Sequence, residues 1–269
     1  MIVVVCAVLG LVVGSFLNVV IARVPAGESI VRPGSRCPHC GTPIGPRDNV
    51  PVLSWLLLRG RSRCCGTGIS PLYPLVEVGT ALAFAAVAAW TGAEREAGGW
   101  PPPEPWFLPA FLFLAAITVC LTVIDVQVFR LPYWIVAPAY PVAAVLLGAA
   151  SLASRDGGSA VRMLAGGAAL WGLYRLVHLI NPNGMGYGDV RLAGVLGLYL
   201  GWLGWYSLVA GAFLGFLLGG IGGVALLLAR RGGLKTAIPF GPYMLAGAWV
   251  AIGWGDRILD WYLGLAGLA

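Results

Sequence analysis

The sequence predicts an all-α, polytopic membrane protein of about eight transmembrane helices with a small cytoplasmic, zinc-ribbon-like cysteine loop. Three observations predict it. Of 269 residues, 59% are hydrophobic and only 10% charged, whereas a soluble domain carries about 25% charged residues. Apolar runs of roughly 18 residues or more recur along the chain, each long enough as a helix to cross a bilayer. The one long polar stretch, 24–70, carries the paired cysteines.

The runs fall at 2–22, 72–91, 106–124, 133–152, 163–180, 190–203, 206–229 and 238–258. The sixth is short and glycine-rich, so its boundary with the seventh leaves seven or nine crossings open. The first has no positive charge ahead of its apolar core and no small-residue cleavage site before Arg23 and Pro25, so it reads as a retained helix rather than a signal peptide. The resulting division is a first helix at 1–23, a cysteine-rich loop at 24–70 and a membrane core at 71–269.

Arginine sets the expected orientation. The loop holds Arg23, Arg32, Arg36, Arg47, Arg59, Arg61 and Arg63 against Glu28 and Asp48. Positive-rich loops stay cytoplasmic, which places the N-terminus outside. With eight crossings, the turns holding Arg130, Asp189 with Arg191, and Arg230, Arg231 and Lys235 are cytoplasmic too, while Glu94, Glu96 and Glu104 fall outside. The formal charge of +6 is therefore topology and attraction to anionic lipid, not nucleic-acid binding.

The loop contains CPHC, with Cys37 and Cys40, and then RSRCCG, with Cys64 and Cys65. A C-x-x-C pair followed some twenty residues later by further cysteines is a zinc-ribbon pattern, and soft thiolates suit Zn²⁺. A loop too small to bury a core gains its fold from such an ion. Ser62 stands where the C-x-x-C partner of Cys65 belongs; the fourth ligand is then Cys64 or a nitrogen of His39. The bland alternative is a metal-free loop. Cys6 and Cys120, inside apolar runs, read as small buried hydrophobes.

Glu77, Asp125 and Asp189 fall in or at the edge of apolar runs and are not easily assigned to a loop. Carboxylates there are expensive and mark sites or relays. The topology puts Asp125 and Asp189 at the same cytoplasmic face, so they can meet. Two carboxylates brought together outside bulk water cannot both ionise cheaply, so they share a proton near neutrality, one serving as general base and the other polarising a carbonyl. Gly186 and Gly188 let a substrate backbone approach and allow the turn a positive φ. The plainer readings are Asp189 as a helix N-cap, Asp125 paired with Arg130, His178 as a structural interfacial histidine, and Arg175 reaching for headgroups.

These residues resemble the bacterial type IV prepilin peptidases, membrane aspartic peptidases with a G-x-G-D motif. The resemblance runs in order through GSFLNVVIARVP (14–25), SRCPHCGTPI (35–44), NVPVLSWLLLRGRSRCCGTGISPLYPLVE (49–77), Asp125 followed by Leu131-Pro132, GMGYGDVRLAGVLGLYLGW (184–202) and IPFGPYMLAGA (238–248). It implies that Asp125 and Asp189 are the catalytic pair. It further implies that the substrates are prepilins or pseudopilins, cut at the cytoplasmic face of the bacterial inner membrane. Many members also methylate the new N-terminal amine with S-adenosylmethionine. Glu77, in the shared PLVE stretch, would help line the site. Ser62 departs from the usual second C-x-x-C, which bears on four-thiolate zinc and on methylation but not on the peptidase pair. Two other readings compete: a presenilin-like peptidase, which lacks support because the partner acid follows Ile124 rather than a tyrosine and no Pro-Ala-Leu occurs, and a proton-coupled transporter, for which no inverted repeat is visible.

Overall fold

The computed structural model describes residues 1–37, 39–97, 105–182, 184–229 and 238–266. Among them, eight long helices and one short one account for the secondary structure of note: α1 (Ile2–Arg23), α2 (Leu53–Leu57), α3 (Leu72–Ala97), α4 (Leu108–Val128), α5 (Tyr133–Ala153), α6 (Gly157–Ile180), α7 (Tyr187–Leu203), α8 (Trp205–Leu228) and α9 (Gly241–Ala266). The described residues form no strand, only two isolated bridges in the cysteine loop. Six helices (α1, α3, α4, α5, α6 and α8) are long and apolar enough to cross a membrane, so this is an integral membrane protein. Residues of the expected outer loop, 98–104, and the basic turn with Arg230, Arg231 and Lys235 lie outside the described residues.

Each apolar run became a helix, but several boundaries moved. α6 starts at Gly157 rather than 163, because Asp156 caps it by accepting the Ser159 N–H at 3.1 Å. α7 starts at Tyr187 rather than 190, with Gly186 as N-cap. α3 continues past 91 to Ala97.

The chain divides into two compact units. Unit one comprises Met1–Ala93 with Phe111–Val123. Here α1 lies against α3 through glycine: a Cβ on Gly10 would sit 2.6 Å from the Ala81 Cα, and one on Gly14 2.7 Å from the Glu77 Cα. Small residues at such crossings let helix backbones approach in a bilayer, where no hydrophobic drive separates helix from lipid. Asn18 of α1, buried, donates to the Tyr73 carbonyl at 3.1 Å.

Unit two comprises Glu94–Ala110 with Ile124–Ala269. Its central element is α7, of whose residues only Tyr187, Gly188 and Arg191 escape full burial. That centrality explains the glycine content that made this run look weak. A Cβ on Gly201 would meet the Gly166 Cα at 2.9 Å, and one on Gly197 would overlap the Gly166 carbonyl. Gly211 on α8 faces Leu200 of α7 in the same way, and Gly247 of α9 meets Gly215 of α8. At the far end of α7, Trp202 Nε1 donates to Ser151 Oγ at 2.8 Å, and Ser151 bonds Ser159 at 2.8 Å.

Candidate active site and metal centre

Asp125 lies on the last turn of α4. The helix ends four residues later at Phe129, whose left-handed φ of 53° returns its N–H to the Asp125 carbonyl at 2.9 Å. The carboxylate is buried, 4% exposed, and its Oδ2 accepts the N–H of Gly241, the first residue of α9, at 3.0 Å. Arg130 is exposed, so the expected alternative partner is replaced by a backbone N–H. Asp189 is the third helical residue of α7, not its N-cap. From there its Oδ2 reaches back to the Gly186 N–H at 3.1 Å, as acidic residues at that position do in a capping box. It too is buried, 9% exposed.

Leu131, just beyond α4, touches the surroundings of both acids. A Cβ on Gly188 would sit 2.9 Å from the Leu131 Cβ. One on Gly241 would sit 3.3 Å from its Cδ2 and 2.8 Å from Asp125 Oδ2. Both acids belong to the same compact unit, and Leu131 packs against the glycine beside each of them. The glycines therefore serve close packing. The expected positive φ is not used: Gly186 has φ −69° and ψ 146°, and Gly188 lies within the regular helix.

The turn that carries Asp189 is clamped from three sides. His178 donates from Nδ1 to the Met185 carbonyl at 2.8 Å, a structural role. The Arg191 guanidinium lies 4.6 Å from the Tyr187 ring centroid and 4.7 Å from that of Tyr133, and Arg175 covers Tyr187 at 5.2 Å. Tyr140 of α5 donates its hydroxyl to the Arg191 carbonyl at 2.6 Å. Arg175 is thus engaged by an aromatic face. The sequence reading missed Leu131, Tyr140 and Gly241 as site residues. Their signal was the Leu131-Pro132 step after Asp125 and the FGP of 240–242.

In the cysteine loop, two hairpins repeat one another. Cys37 N–H bonds the Thr42 carbonyl and Gly41 N–H the Cys37 carbonyl; Ser62 N–H bonds the Thr67 carbonyl and Gly66 N–H the Ser62 carbonyl. Gly41 and Gly66 both have φ of 71°, the left-handed turn that glycine adopts without penalty. In this register Ser62 matches Cys37, Cys65 matches Cys40, and Cys64 matches His39. The sulfurs of Cys37, Cys40, Cys64 and Cys65 lie within 4.8 Å of one another, and His39 is not in the group. Individual separations are 3.2 Å for Cys40–Cys64, 3.6 Å for Cys37–Cys65 and 3.9 Å for Cys64–Cys65. A tetrahedral ion with Zn–S bonds of about 2.3 Å needs sulfurs about 3.8 Å apart, so this donor set fits zinc. The Ser62 hydroxyl lies 2.9 Å from the Cys64 sulfur.

The thiols are already biased toward binding. N–H groups of Cys40 and His39, with the Ser62 hydroxyl between them in strength, pull the Cys37 thiol down to about 6. The hydroxyl and N–H of Thr67, then Ser62, bring Cys65 down to about 7. Ser62 also pulls on Cys64, but the neighbouring sulfur of Cys40, burial, Cys37 and Cys65 outweigh it and leave that thiol at about 11. Four sulfurs this close cannot all carry charge unaided; a dication resolves the conflict.

Residues 8–91 match the bacterial peptidase A24 N-terminal domain, and residues 111–224 match the type IV leader peptidase family. The chain belongs to the type IV leader peptidase family. A relative from Aeromonas hydrophila, named a prepilin leader peptidase/N-methyltransferase, is 37% identical over 94% of this chain and 91% of its own length. Relatives of the same name from Stutzerimonas stutzeri and Pseudomonas aeruginosa are 36% and 35% identical over 98% of this chain and 95% and 94% of theirs. No solved structure matches.

The leader peptidase match spans both aspartates, and the N-terminal match spans the cysteine cluster and Glu77. Glu77, buried on α3, accepts the Val52 N–H at 2.7 Å through Oε2. The contact comes from the loop's backbone rather than from one of its arginines.

Proposed function

We propose that this chain is a prepilin peptidase. It is an intramembrane aspartic endopeptidase that removes the leader of type IV prepilins or pseudopilins and then N-methylates the new terminus. The observation that carries the reading is the pair of buried carboxylates, Asp125 and Asp189. Each is held by one glycine N–H, and Leu131 lies beside Gly241 and Gly188, the glycines next to them, within one compact unit. A transporter needs acids that exchange protons with two sides of a membrane; these acids sit at helix ends, fixed by backbone donors, beside small residues.

The chemistry follows from the pair. With one proton between them, the ionised carboxylate removes a proton from a water held at both groups, and the protonated one donates to the scissile carbonyl oxygen. The resulting tetrahedral intermediate collapses as the leaving amine takes up a proton. Gly241 and Gly186 fix the carboxylates from behind, so neither must reorganise as charge moves. The pair works at the cytoplasmic face of the inner membrane, with the N-terminus outside and the arginine-rich loop inside.

The cysteine loop holds structural zinc through Cys37, Cys40, Cys64 and Cys65. The ion supplies a fixed cross-link between the two knuckles, and the residues do the rest: turn glycines shape each knuckle and Ser62 orients Cys64. Methylation draws on S-adenosylmethionine.

The test is co-expression with a prepilin. Asp125→Asn and Asp189→Asn should each abolish leader cleavage while the protein still inserts, since asparagine keeps the shape but cannot act as base. Cleavage by either variant removes that residue from the pair.

A further inference from the structure

Glu77 is a buried carboxylate that peptide cleavage leaves unused. It is 8% exposed on α3, where α1 comes close at Gly14: a Cβ there would sit 2.7 Å from the Glu77 Cα. Its one donor, the Val52 N–H, is presented in an unusual way. Val52 has φ 61° and ψ −50°, and the Leu53 N–H turns back to the Pro51 carbonyl at 2.5 Å. That is a γ-turn centred on a β-branched residue, a strained conformation that persists only where its surroundings impose it. The surroundings do: Val50 N–H bonds Ser54 Oγ at 3.0 Å, and Ser54 Oγ donates to the Arg47 carbonyl at 3.0 Å. The loop thus holds a strained N–H against the carboxylate and fixes its direction.

An ionised carboxylate has about four acceptor positions, and Val52 occupies one. Among the described residues the ion pairs are Arg63–Asp48 and Arg162–Asp156, so no cationic side chain neutralises Glu77. A buried, aimed carboxylate without a cation invites one. A single carboxylate is too few ligands for Ca²⁺ or Mg²⁺, which take six or more oxygens. It suits a primary ammonium group. Leader cleavage makes one.

We propose that Glu77 receives the α-ammonium group of the cleaved substrate and takes the proton this amine must lose before methylation. The inference rests on the proposed cleavage and methylation. The ammonium proton passes to a Glu77 oxygen, and the freed nitrogen lone pair forms a bond to the methyl carbon of a sulfonium donor. The carbon–sulfur bond breaks with its electron pair remaining on sulfur.

The test uses purified full-length protein and a peptide with the sequence of the mature substrate N-terminus, either free or N-acetylated, with no methyl donor present. Wild type should bind the free amine roughly tenfold or more tighter than the acetylated peptide. Glu77→Gln keeps an acceptor oxygen for Val52 and removes only the charge. It should lose that preference, and on adding S-adenosylmethionine the cleaved product should accumulate unmethylated by mass. Glu77→Asp should recover part of the preference. A Gln variant that keeps the preference or still methylates overturns the assignment, as does one that loses cleavage in parallel, which would mark Glu77 as a structural clamp. Should wild type cleave no leader, the cleavage reading fails, while the comparison of free and acetylated peptides still reports on Glu77 alone.

Discussion

The Gly241 backbone N–H donates to Asp125 Oδ2 at 3.0 Å across 116 residues of sequence. Glycine is required there by space: an added Cβ would sit 2.8 Å from the same oxygen and 3.3 Å from Leu131. Gly241→Ala should therefore push Asp125 out of place without unfolding the helices. A displacement of about 1 Å at reacting groups costs on the order of a hundredfold in rate, so cleavage of a prepilin by the variant should fall roughly tenfold or more with membrane insertion unchanged. Wild-type turnover by Gly241→Ala would show that this contact does not position the acid.

A pair that shares one proton has a two-sided pH profile. As pH falls, the second carboxylate takes a proton and the base is lost; as pH rises, the shared proton leaves and the acid is lost. The value of kcat/KM for leader cleavage should therefore be bell-shaped, with two apparent pKa values that belong to the pair rather than to either aspartate. A profile with one limb, or none, measured in detergent or liposomes between the limits of protein stability, would show that only one group titrates in catalysis.

How much of this was legible in the sequence depends on what carries each signal. Every apolar run became a helix, because exclusion from water is written in composition. The start of α6 was misplaced, because the Asp156 cap precedes a Gly-Gly-Ser stretch with no apolar period. The acids stood out because ionisable residues in apolar runs are rare. Gly241 and Leu131 did not, since one acts through a backbone N–H and a missing Cβ, and the other through a contact that only folding creates. Positive φ at Gly186 and Gly188 was expected from their residue type; packing against Asp189 and Leu131 proved to be their use. The missing cysteine at position 62 was visible, but the choice between Cys64 and His39 needed the register of two hairpins.

The α6–α7 crossing should tolerate no side chain. Gly166 faces Gly197 and Gly201 so closely that a Cβ on Gly166 would lie 2.8 Å from the Gly201 Cα. Gly166→Val has no flexible neighbour to displace, only backbone, so α6 must move away from the helix that carries Asp189. Overpacking of this kind costs about 1–3 kcal/mol. The variant should show a lowered midpoint of thermal unfolding and reduced cleavage together. An unchanged midpoint would mean that the two helices are not in contact at Gly166.

The hairpin register makes a prediction about metal content that is independent of proteolysis. Cys64 occupies the position of His39 in the first knuckle yet brings its sulfur to 3.2 Å from Cys40, while Ser62 holds the position of Cys37. The purified protein should carry about one zinc ion per chain. Cys64→Ser should lose it or bind it far more weakly, because three thiolates remain and a serine hydroxyl is a poor ligand at neutral pH. Adding Ser62→Cys to that variant should restore the ion, since it rebuilds the C-x-x-C spacing on a knuckle whose turn is already formed by Gly66. Cobalt substitution should then give tetrahedral four-thiolate spectra in the wild type and in the double variant, and neither in Cys64→Ser. If Cys64→Ser alone keeps its zinc with four-sulfur spectra, Cys64 is not the fourth ligand and the out-of-register assignment fails.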